Sequence, residues 1–273
     1  MPSDRRLERE AAKRRRQRRG QAIAVASSVV VLGGLAALIL TSPGWPTVRE
    51  TFFSWSIFKQ SFPHVLDAFW LDVKVFVIVE VAVLIIGLVV ALVRIARSPA
   101  IFPLRLLAIV YVDLFRGVPT ILLVFLIGFG VPALELSGTP SEPVVLGGIA
   151  LALSYSAYVA EVYRAGINSV HRGQRDAALA VGLTETQAMR HVLLPQAVRR
   201  VAPPLLNDFV ALQKDVALIS ILGPLEAFRE AQIIEAQTFN FTPLIAAALL
   251  YLAVTVPLAR LVDRLGGPEG AVR

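Results

Sequence analysis

Charged side chains interrupt stretches of this sequence that are otherwise apolar. Glu80 stands within the run FVIVEVAVLI, and Asp208, Lys214 and Asp215 belong to a later stretch of the same kind. A charge that faces lipid costs about 2.5–3.5 kcal/mol or more, so such residues usually face a partner charge, water or a cavity. These four residues are therefore candidate contacts for a polar solute or ion that crosses a membrane. The alternative is that they pair with each other or with charges on other helices.

Two further pairs of opposite charge have a spacing that suits a helix. Asp113 precedes Arg116 by three positions, and Glu161 precedes Arg164 by three. Side chains three apart are neighbours on a helix surface and can form an ion pair. We expect these pairs to serve packing or gating rather than ligand contact.

The composition places the chain among integral membrane proteins. Of its 273 residues, 56% are hydrophobic and only 17% are charged, and the mean hydropathy is +0.66. Runs of about 18 or more mostly apolar residues predict spanning helices, so the expected fold is an all-α membrane protein with about six of them. The predicted spans are 21–40, 70–93, 106–130, 144–162, 205–225 and 241–262.

Basic residues predict the orientation, because short loops rich in Lys and Arg stay on the cytoplasmic side. They concentrate before residue 20, in 94–105, in 164–200 and after Leu258. The opposite loops hold only Arg49, Lys59 and Arg229. Both termini are therefore expected in the cytoplasm.

The same reading divides the chain into segments. A basic cytoplasmic tail (1–20) precedes a first anchor (21–40). The alternative for the anchor is a cleavable signal peptide. The long apolar run and the lack of an Ala-x-Ala-like exit disfavour this alternative. The aromatic-rich segment 41–69 is expected outside the membrane, at the interface. The main transmembrane domain is expected over 70–262 and a cytoplasmic tail over 263–273.

A polar insert, about 165–203, separates the fourth and fifth predicted spans. We expect one short helix around Arg175–Val181, closed by Gly182 in a left-handed conformation, and a second that Thr184 and Gln187 open with a capping box and Pro195 ends. Ala177, Ala178 and Val181 are expected on one face that another surface can approach closely. The alternatives are a helix lying on lipid headgroups and a DNA-binding helix-turn-helix. The second is disfavoured because both ends re-enter the membrane.

This insert carries a recognisable pattern. The chain reads Asp176-Ala177-Ala178, then Gly182, Val192 and Leu194-Pro195. The spacing resembles the Glu-Ala-Ala signature loop of permease subunits of ATP-binding-cassette (ABC) importers. Further stretches resemble the polar amino-acid subfamily, and together the resemblance covers about 70–262. These stretches are YVDLFRGVPT (111–120), AYVAEVYRAGINSV (157–170), RGQ (172–174), LLPQAVRR (193–200) and a segment over 207–220 that contains LQKDVALIS.

The chain departs from that pattern at a few positions. Asp176 and Asp113 stand where the family usually has Glu, and Val192 replaces Ile, so charge or apolarity is kept. Glu80 is different, because relatives usually carry a small or apolar residue there.

The resemblance implies a five-helix type I importer core, here with one extra N-terminal helix, in the cytoplasmic membrane of a prokaryote. It implies cytoplasmic coupling helices on which separate ATPase subunits dock, with ATP and Mg on those subunits. It also implies a solute-binding protein outside and a second permease copy or sister permease, because one such core is too small to enclose a route. The residues to which it assigns ATPase coupling are Asp176, Ala177, Ala178, Gly182, Leu194 and Pro195.

The implied substrate is a polar amino acid. A zwitterion needs a cation for its carboxylate and an anion for its ammonium group, which Lys214, Asp208 and Asp215 could supply. Which amino acid is carried stays open.

The chain has no phosphate loop of the form GxxxxGK[ST], since none of its four lysines follows a glycine. We therefore expect a transport subunit without its own ATPase site, and neither a metal site nor nucleic-acid binding, because topology and anionic lipid explain the basic run before residue 20. The runner-up is an ion- or proton-coupled secondary transporter using Glu80, Asp208 and Lys214. A membrane enzyme ranks third, since His64, His171 and His191 are scattered outside the spans.

Overall fold

The computed structural model describes residues 4–96 and 98–266, and the regular elements in these ranges are all helical. Residues 267–273 of the predicted C-terminal tail, and Arg97 in a predicted cytoplasmic loop, lie outside the described residues. The chain divides into two compact units, 1–54 and 55–273. Each unit is described by itself.

The first unit consists of two helices. Helix α1, Asp4–Leu40, runs without a break from the basic tail through the predicted anchor. Its part from Arg19 to Leu40 is long and apolar enough to cross a membrane, and none of that window is buried in the protein. Helix α2, Trp45–Phe52, follows with a proline in its first turn, where the missing N–H costs nothing.

The second unit begins with α3, Trp55–Ile95, a single helix of 41 residues. The sequence predicts a boundary near residue 70, but α3 continues through this position without a break. The reason is tertiary packing: Val65 and Phe69 are buried together with Ala227, Ala231 and Ala247. Residues 55–69 therefore continue the helical bundle rather than forming a separate segment at the lipid surface.

The predicted span 106–130 is broken in two. A 3₁₀ turn, Pro99–Ile101, leads into α4, Phe102–Gly117, and α5 follows as Thr120–Ala133. The two helices meet at an angle of 105°. Val118 is extended, as expected for the residue before a proline, and the hydropathy pattern alone does not register this corner.

Helix α6, Pro143–Ser169, is the centre of the bundle. In its apolar window 67% of the residues are buried, the highest share among the candidate spans. It packs against α3, α4 and α5, and against α9, described next. The main apolar core includes Val83 of α3, Val124 of α5 and Leu151 of α6.

The remaining elements are α7, Arg172–Ala180; α8, Glu185–Ala188; a π-helical turn, Met189–Leu193; α9, Leu194–Asp215; a 3₁₀ turn, Val216–Leu222; α10, Ala227–Thr238; and α11, Thr242–Gly266. Among the described residues, four helices are long and apolar enough to span, or five if the bent α4–α5 pair is one span. The predicted span 205–225 is helical but falls outside this set. Two of its polar side chains, Gln213 and Ser220, are buried within the bundle, where Thr255 of α11 donates to Gln213 at 2.7 Å.

Close approach between helices depends on glycines of α6. A Cβ at Gly147 would lie 2.7 Å from Cγ2 of Ile219, and a Cβ at Gly166 would overlap Cγ1 of Val201. Valine has one strongly preferred rotamer in a helix, so Val201 has little room to yield. The C-terminal end of α6 and the N-terminal half of α9 therefore touch at a distance that only glycine allows.

We expect Gly166→Ala to destabilise the bundle by about 1–3 kcal/mol, because it overpacks the α6–α9 contact. Val201→Ala in the same chain is expected to restore most of that loss by removing the overlapping methyl groups. The measurement is thermal unfolding of the detergent-purified protein for the two single variants and the double variant.

The matched control is Gly130→Ala, whose added Cβ meets nothing within 4 Å. Equal unfolding temperatures for Gly166→Ala and Gly130→Ala would show that the α6–α9 contact tolerates the extra group.

Candidate functional site

The insert predicted to be cytoplasmic contains a compact platform, which we define as residues 172–188. Helix α7 begins after His171, whose Nδ1 accepts a hydrogen bond from the N–H of Gly173 at 3.1 Å. Gly182 has φ +88°, so the predicted left-handed turn is confirmed. The predicted capping box is also present, since Thr184 and Gln187 bond each other's backbone N–H.

The platform does not present its small residues on one face. Ala178 is 5% exposed, whereas Val181 is 79% exposed and Ala177 is also exposed. The expectation that all three share a face was wrong, because consecutive helical residues diverge by about 100°. Ala178 packs inward, while Ala177 and Val181, four apart, share an outer face that Asp176 borders.

Pro195 does not end the second helix. The chain continues from α8 through the π-helical turn into α9, and Pro195 occupies the first turn of α9. Proline is tolerated there because that backbone N–H has no helical partner. Leu194 and Pro195 are both exposed at this junction.

Polar contacts hold the platform together, join it to α9, and join α9 to the end of α6. Arg175 of α7 bonds Glu185 of α8, with Nε 3.1 Å from Oε2. Gln196 of α9 donates to Gln174 of α7 at 3.2 Å. At the end of α6, the carbonyl and hydroxyl oxygens of Ser169 both accept from Nη1 of Arg200, the hydroxyl at 3.1 Å.

A second group of polar residues lies inside the bundle, among α3, α6 and α9. Tyr155 donates a hydrogen bond to Oδ2 of Asp215 at 2.8 Å. Oδ2 of Asp208 is buried without a hydrogen-bond partner in the described part of the chain. Glu80 is 8% exposed and interacts electrostatically with Asp208. Asp208, Asp215 and Glu80, all predicted from the sequence, thus share one polar region.

Lys214, the fourth candidate, points elsewhere. Its side chain is exposed on this chain, and within residues 4–96 and 98–266 no hydrogen bond or ion pair reaches it. It therefore does not neutralise Asp208 or Asp215 in this structure.

The two predicted pairs behave differently. Glu161 bonds Arg164 with Nε at 3.2 Å, and Arg94 of α3 also donates to it at 2.6 Å. This ion-paired group holds α3 and α6 together. Asp113 and Arg116 form no ion pair in the described residues; the Arg116 guanidinium instead lies 5.5 Å from the centre of the Tyr158 ring.

A pair of acids that was not predicted from the sequence lies at the opposite end of the bundle. Asp72 of α3 and Glu226, before α10, are both buried. Asp72 accepts from the N–H of Ala227 at 3.2 Å, and Glu226 caps α10 by accepting from the N–H groups of Phe228 and Arg229. Burial raises the pKa of Glu226 above its usual value. The signal was available, since Asp72 is an acid inside the predicted span 70–93.

No cluster of His, Cys, Asp and Glu in the described residues could hold a metal ion. The platform and the polar region among α3, α6 and α9 are suited to binding and mechanical contact. One offers an exposed, anchored surface in the predicted cytoplasmic loop, and the other offers acidic groups within the bundle.

Comparisons with known proteins agree on one family. Residues 84–266 match the family described as binding-protein-dependent transport system inner membrane component. The chain is 36% identical over 207 residues to a probable glutamine ABC transporter permease protein of Bacillus subtilis, covering 75% of this chain and 92% of the relative. It is 33% identical over 197 residues to the arginine transport system permease protein ArtQ of the same organism, covering 72% and 88%.

Solved structures show the same fold. A crystal structure of an amino acid ABC transporter with histidines matches with a TM-score of 0.67 at 32% identity, over 75% of this chain and 93% of that one. An inward-facing MetNI methionine ABC transporter matches with a TM-score of 0.56 over 77% and 96%. At 20% identity, this second likeness concerns the fold alone.

The left-handed turn at Gly182 gives a graded prediction. We expect Gly182→Ala to destabilise the turn between α7 and α8 by about 1–2 kcal/mol, because a Cβ is unfavourable at positive φ. Gly182→Asn should cost less, since asparagine tolerates this conformation. Hydrogen exchange of the amides in 178–188 measures the effect, with the asparagine variant as the matched control. Equal exchange in the alanine variant and the unsubstituted chain would contradict the prediction.

Proposed function

Because the chain belongs to the family of binding-protein-dependent transport system inner membrane components, we propose that it translocates a polar amino acid across the cytoplasmic membrane. It is the permease subunit of an ABC importer for amino acids, integral to the membrane. The relatives support this function and not the ion- or proton-coupled transporter. Energy comes from ATP hydrolysed with Mg on separate subunits, and this chain has no ATPase site of its own.

The observation that carries the proposed mechanism is the anchored platform with its exposed outer face. Asp176, Ala177 and Val181 are exposed, and small side chains there let an ATPase groove approach the helix closely. Ala178 and Gly182 act differently, by shaping the platform. Leu194 and Pro195 border the same surface where the platform joins α9.

The polar contacts of the platform and of α9 are the path by which a movement of α7 reaches the bundle. A displacement of α7 reaches α9 through Gln174 and Gln196. It reaches α6 through the hydrogen bond between Arg200 and Ser169, and a push from α9 is passed on to α6 because the two helices leave no free space between Val201 and Gly166. ATPase closure is thereby transmitted to the helices that carry the polar residues of the bundle, which then alternates between outward and inward access.

We place the substrate route along α3, α6 and α9, with Glu80, Asp208 and Asp215 as its acidic contacts. The ion-paired group around Glu161 and Arg164, and Arg116 over Tyr158, serve packing or gating. Both termini lie in the cytoplasm, and a solute-binding protein delivers the amino acid to the external loops near 41–69, 131–143 and 226–240. The permease domain includes residues 55–69 as well as 70–262, since α3 is continuous from Trp55.

Lys214 supports a second permease, either another copy or a sister subunit. It lies fourteen positions after Arg200 on α9, roughly 21 Å further along the helix axis. A charge at that depth does not face lipid, yet the side chain is exposed on this chain. We therefore place Lys214 at the partner permease or at the water-filled route between the two.

Docking of the ATPase is tested by placing bulk on the outer face of the platform. Ala177→Trp should abolish copurification of the ATPase subunit with the tagged chain, because the ring prevents close approach while the exposed site leaves folding unaffected. Copurification from detergent-solubilised membranes measures it.

The matched control is Ala236→Trp, the same change at an exposed position of α10, which is assigned to the opposite side of the membrane. Retention of the ATPase by both variants would show that the platform face is not the dock. Absence of any ATPase with the unsubstituted chain would contradict the proposed function.

The position assigned to Lys214 gives a separate prediction. Lys214→Met should lower amino-acid uptake into reconstituted vesicles at least about tenfold, which corresponds to the loss of one charge-assisted contact, while the ATPase still copurifies. Unchanged uptake by a correctly assembled variant would remove Lys214 from the route.

A further inference from the structure

We infer that Glu80 and Asp208 together select a cationic amino acid, one whose side chain carries a second positive charge. The inference rests on the proposed function and deepens it by naming the class of substrate. Its basis is a pair of acids inside the bundle, the buried Glu80 and the half-buried Asp208, that the rest of the described chain leaves without a bonded cation.

Glu80 is the more deeply buried member of the pair. It is 8% exposed and follows Val79, which belongs to the main apolar core with residues of α6. Throughout residues 4–96 and 98–266, no hydrogen bond or ion pair joins its carboxylate to another side chain or to the backbone. A buried carboxylate is normally paired or hydrogen-bonded, so Glu80 indicates a partner that arrives from outside the chain.

Asp208, which lies on α9, also lacks a bonded partner within the described part of the chain. Its Oδ2 is buried and has no hydrogen-bond partner in the described residues, and it interacts electrostatically with Glu80. Asp215, seven residues further on α9, differs because Tyr155 donates to it at 2.8 Å. The two unpartnered acids are therefore distinct from the acid that the protein itself satisfies.

The single positive charge of Arg116 does not balance the negative charges of both Glu80 and Asp208. Arg116 interacts electrostatically with Asp208, but it forms an ion pair with neither acid in the described chain, and its guanidinium lies over the Tyr158 ring at 5.5 Å. Two carboxylates facing one guanidinium leave one negative charge unbalanced.

A ligand with a net positive charge would balance this excess negative charge. A neutral amino acid such as glutamine offers one carboxylate and one ammonium group, so it leaves the surplus in place. Arginine and lysine add a side-chain cation that can bond the second acid, and a guanidinium can do so with two parallel hydrogen bonds. The Arg116 guanidinium is then available to the substrate carboxylate, while Asp208 and Glu80 receive the two cationic groups.

The test measures selectivity without the solute-binding protein, which would impose its own selection. The complex of this chain with its ATPase subunits is purified in detergent, and binding of radiolabelled arginine, lysine and glutamine is measured by equilibrium dialysis up to millimolar concentrations. We expect the unsubstituted complex to bind arginine and lysine more tightly than glutamine. Glu80→Gln should reduce that preference by about tenfold to hundredfold, as for the loss of one charge-assisted hydrogen bond.

Two further variants keep the result interpretable. Glu80→Asp preserves the charge and should keep most of the preference, which a loss of structure would not. Glu142→Gln removes an exposed acid before α6 whose side chain makes no cap hydrogen bond. It lies in a loop assigned to the solute-binding protein, which this assay omits, so the change should leave amino-acid binding by the complex unchanged.

The outcomes separate the inference from the function on which it rests. A Glu80→Gln complex that assembles and keeps the preference for arginine would overturn the inference, and so would an unsubstituted complex that binds glutamine as tightly as arginine. Both results would leave an amino-acid permease intact. Failure of an assembled complex to bind any of the three amino acids would count against the proposed function as well.

Discussion

The close contact between α6 and α9 is the constraint on which the rest of this protein depends. At Gly166 the two helices approach until a single methyl group would overlap Val201, and Arg200 ties the same end of α9 to Ser169. The platform lies in the chain between these two helices, so its position depends on their contact. Tyr155, Asp208 and Asp215 lie further along the same two helices. In the proposed mechanism, a movement of the platform reaches these groups through the α6–α9 contact.

Hydrogen bonding inside the bundle divides its polar residues into two kinds. Most buried polar groups are satisfied by the protein, such as Gln213 by Thr255 and Asp215 by Tyr155. Such pairs fix helix register in an environment where water cannot compensate an unmade bond. Glu80 and Asp208 stand apart, because they lie inside the bundle, one buried and one half-buried, and the described residues offer their carboxylates no bonded partner. The contrast between satisfied and unsatisfied acids, rather than the presence of acids, is what identifies the proposed binding region.

Two adjacent alanines of the platform have different environments, one suited to packing and one to the proposed contact with the ATPase. Ala177 and Ala178 are adjacent in sequence and identical in type, yet one is exposed and the other is buried. The buried alanine allows α7 to pack on the following elements, and the exposed one leaves the outer face flat enough for close approach. A motif that lists the two together therefore combines a packing requirement with a proposed contact.

Much of this protein follows from the sequence by itself. Hydropathy predicted the apolar helices and charge predicted an orientation. The chemistry of Gly182, Thr184 and Gln187 predicted the turn and cap of the platform, because these depend on residues only a few positions apart. The tertiary structure alone decided the remainder. It continued α3 through residue 70, because Val65 and Phe69 bury against α10 and α11. It continued the helix through Pro195 and turned Lys214 away from Asp208. It also brought Glu80 to Asp208 from 128 positions earlier in the chain. Local patterns report the conformational preferences of neighbouring residues, whereas the pairing of buried charges depends on which helices pack together.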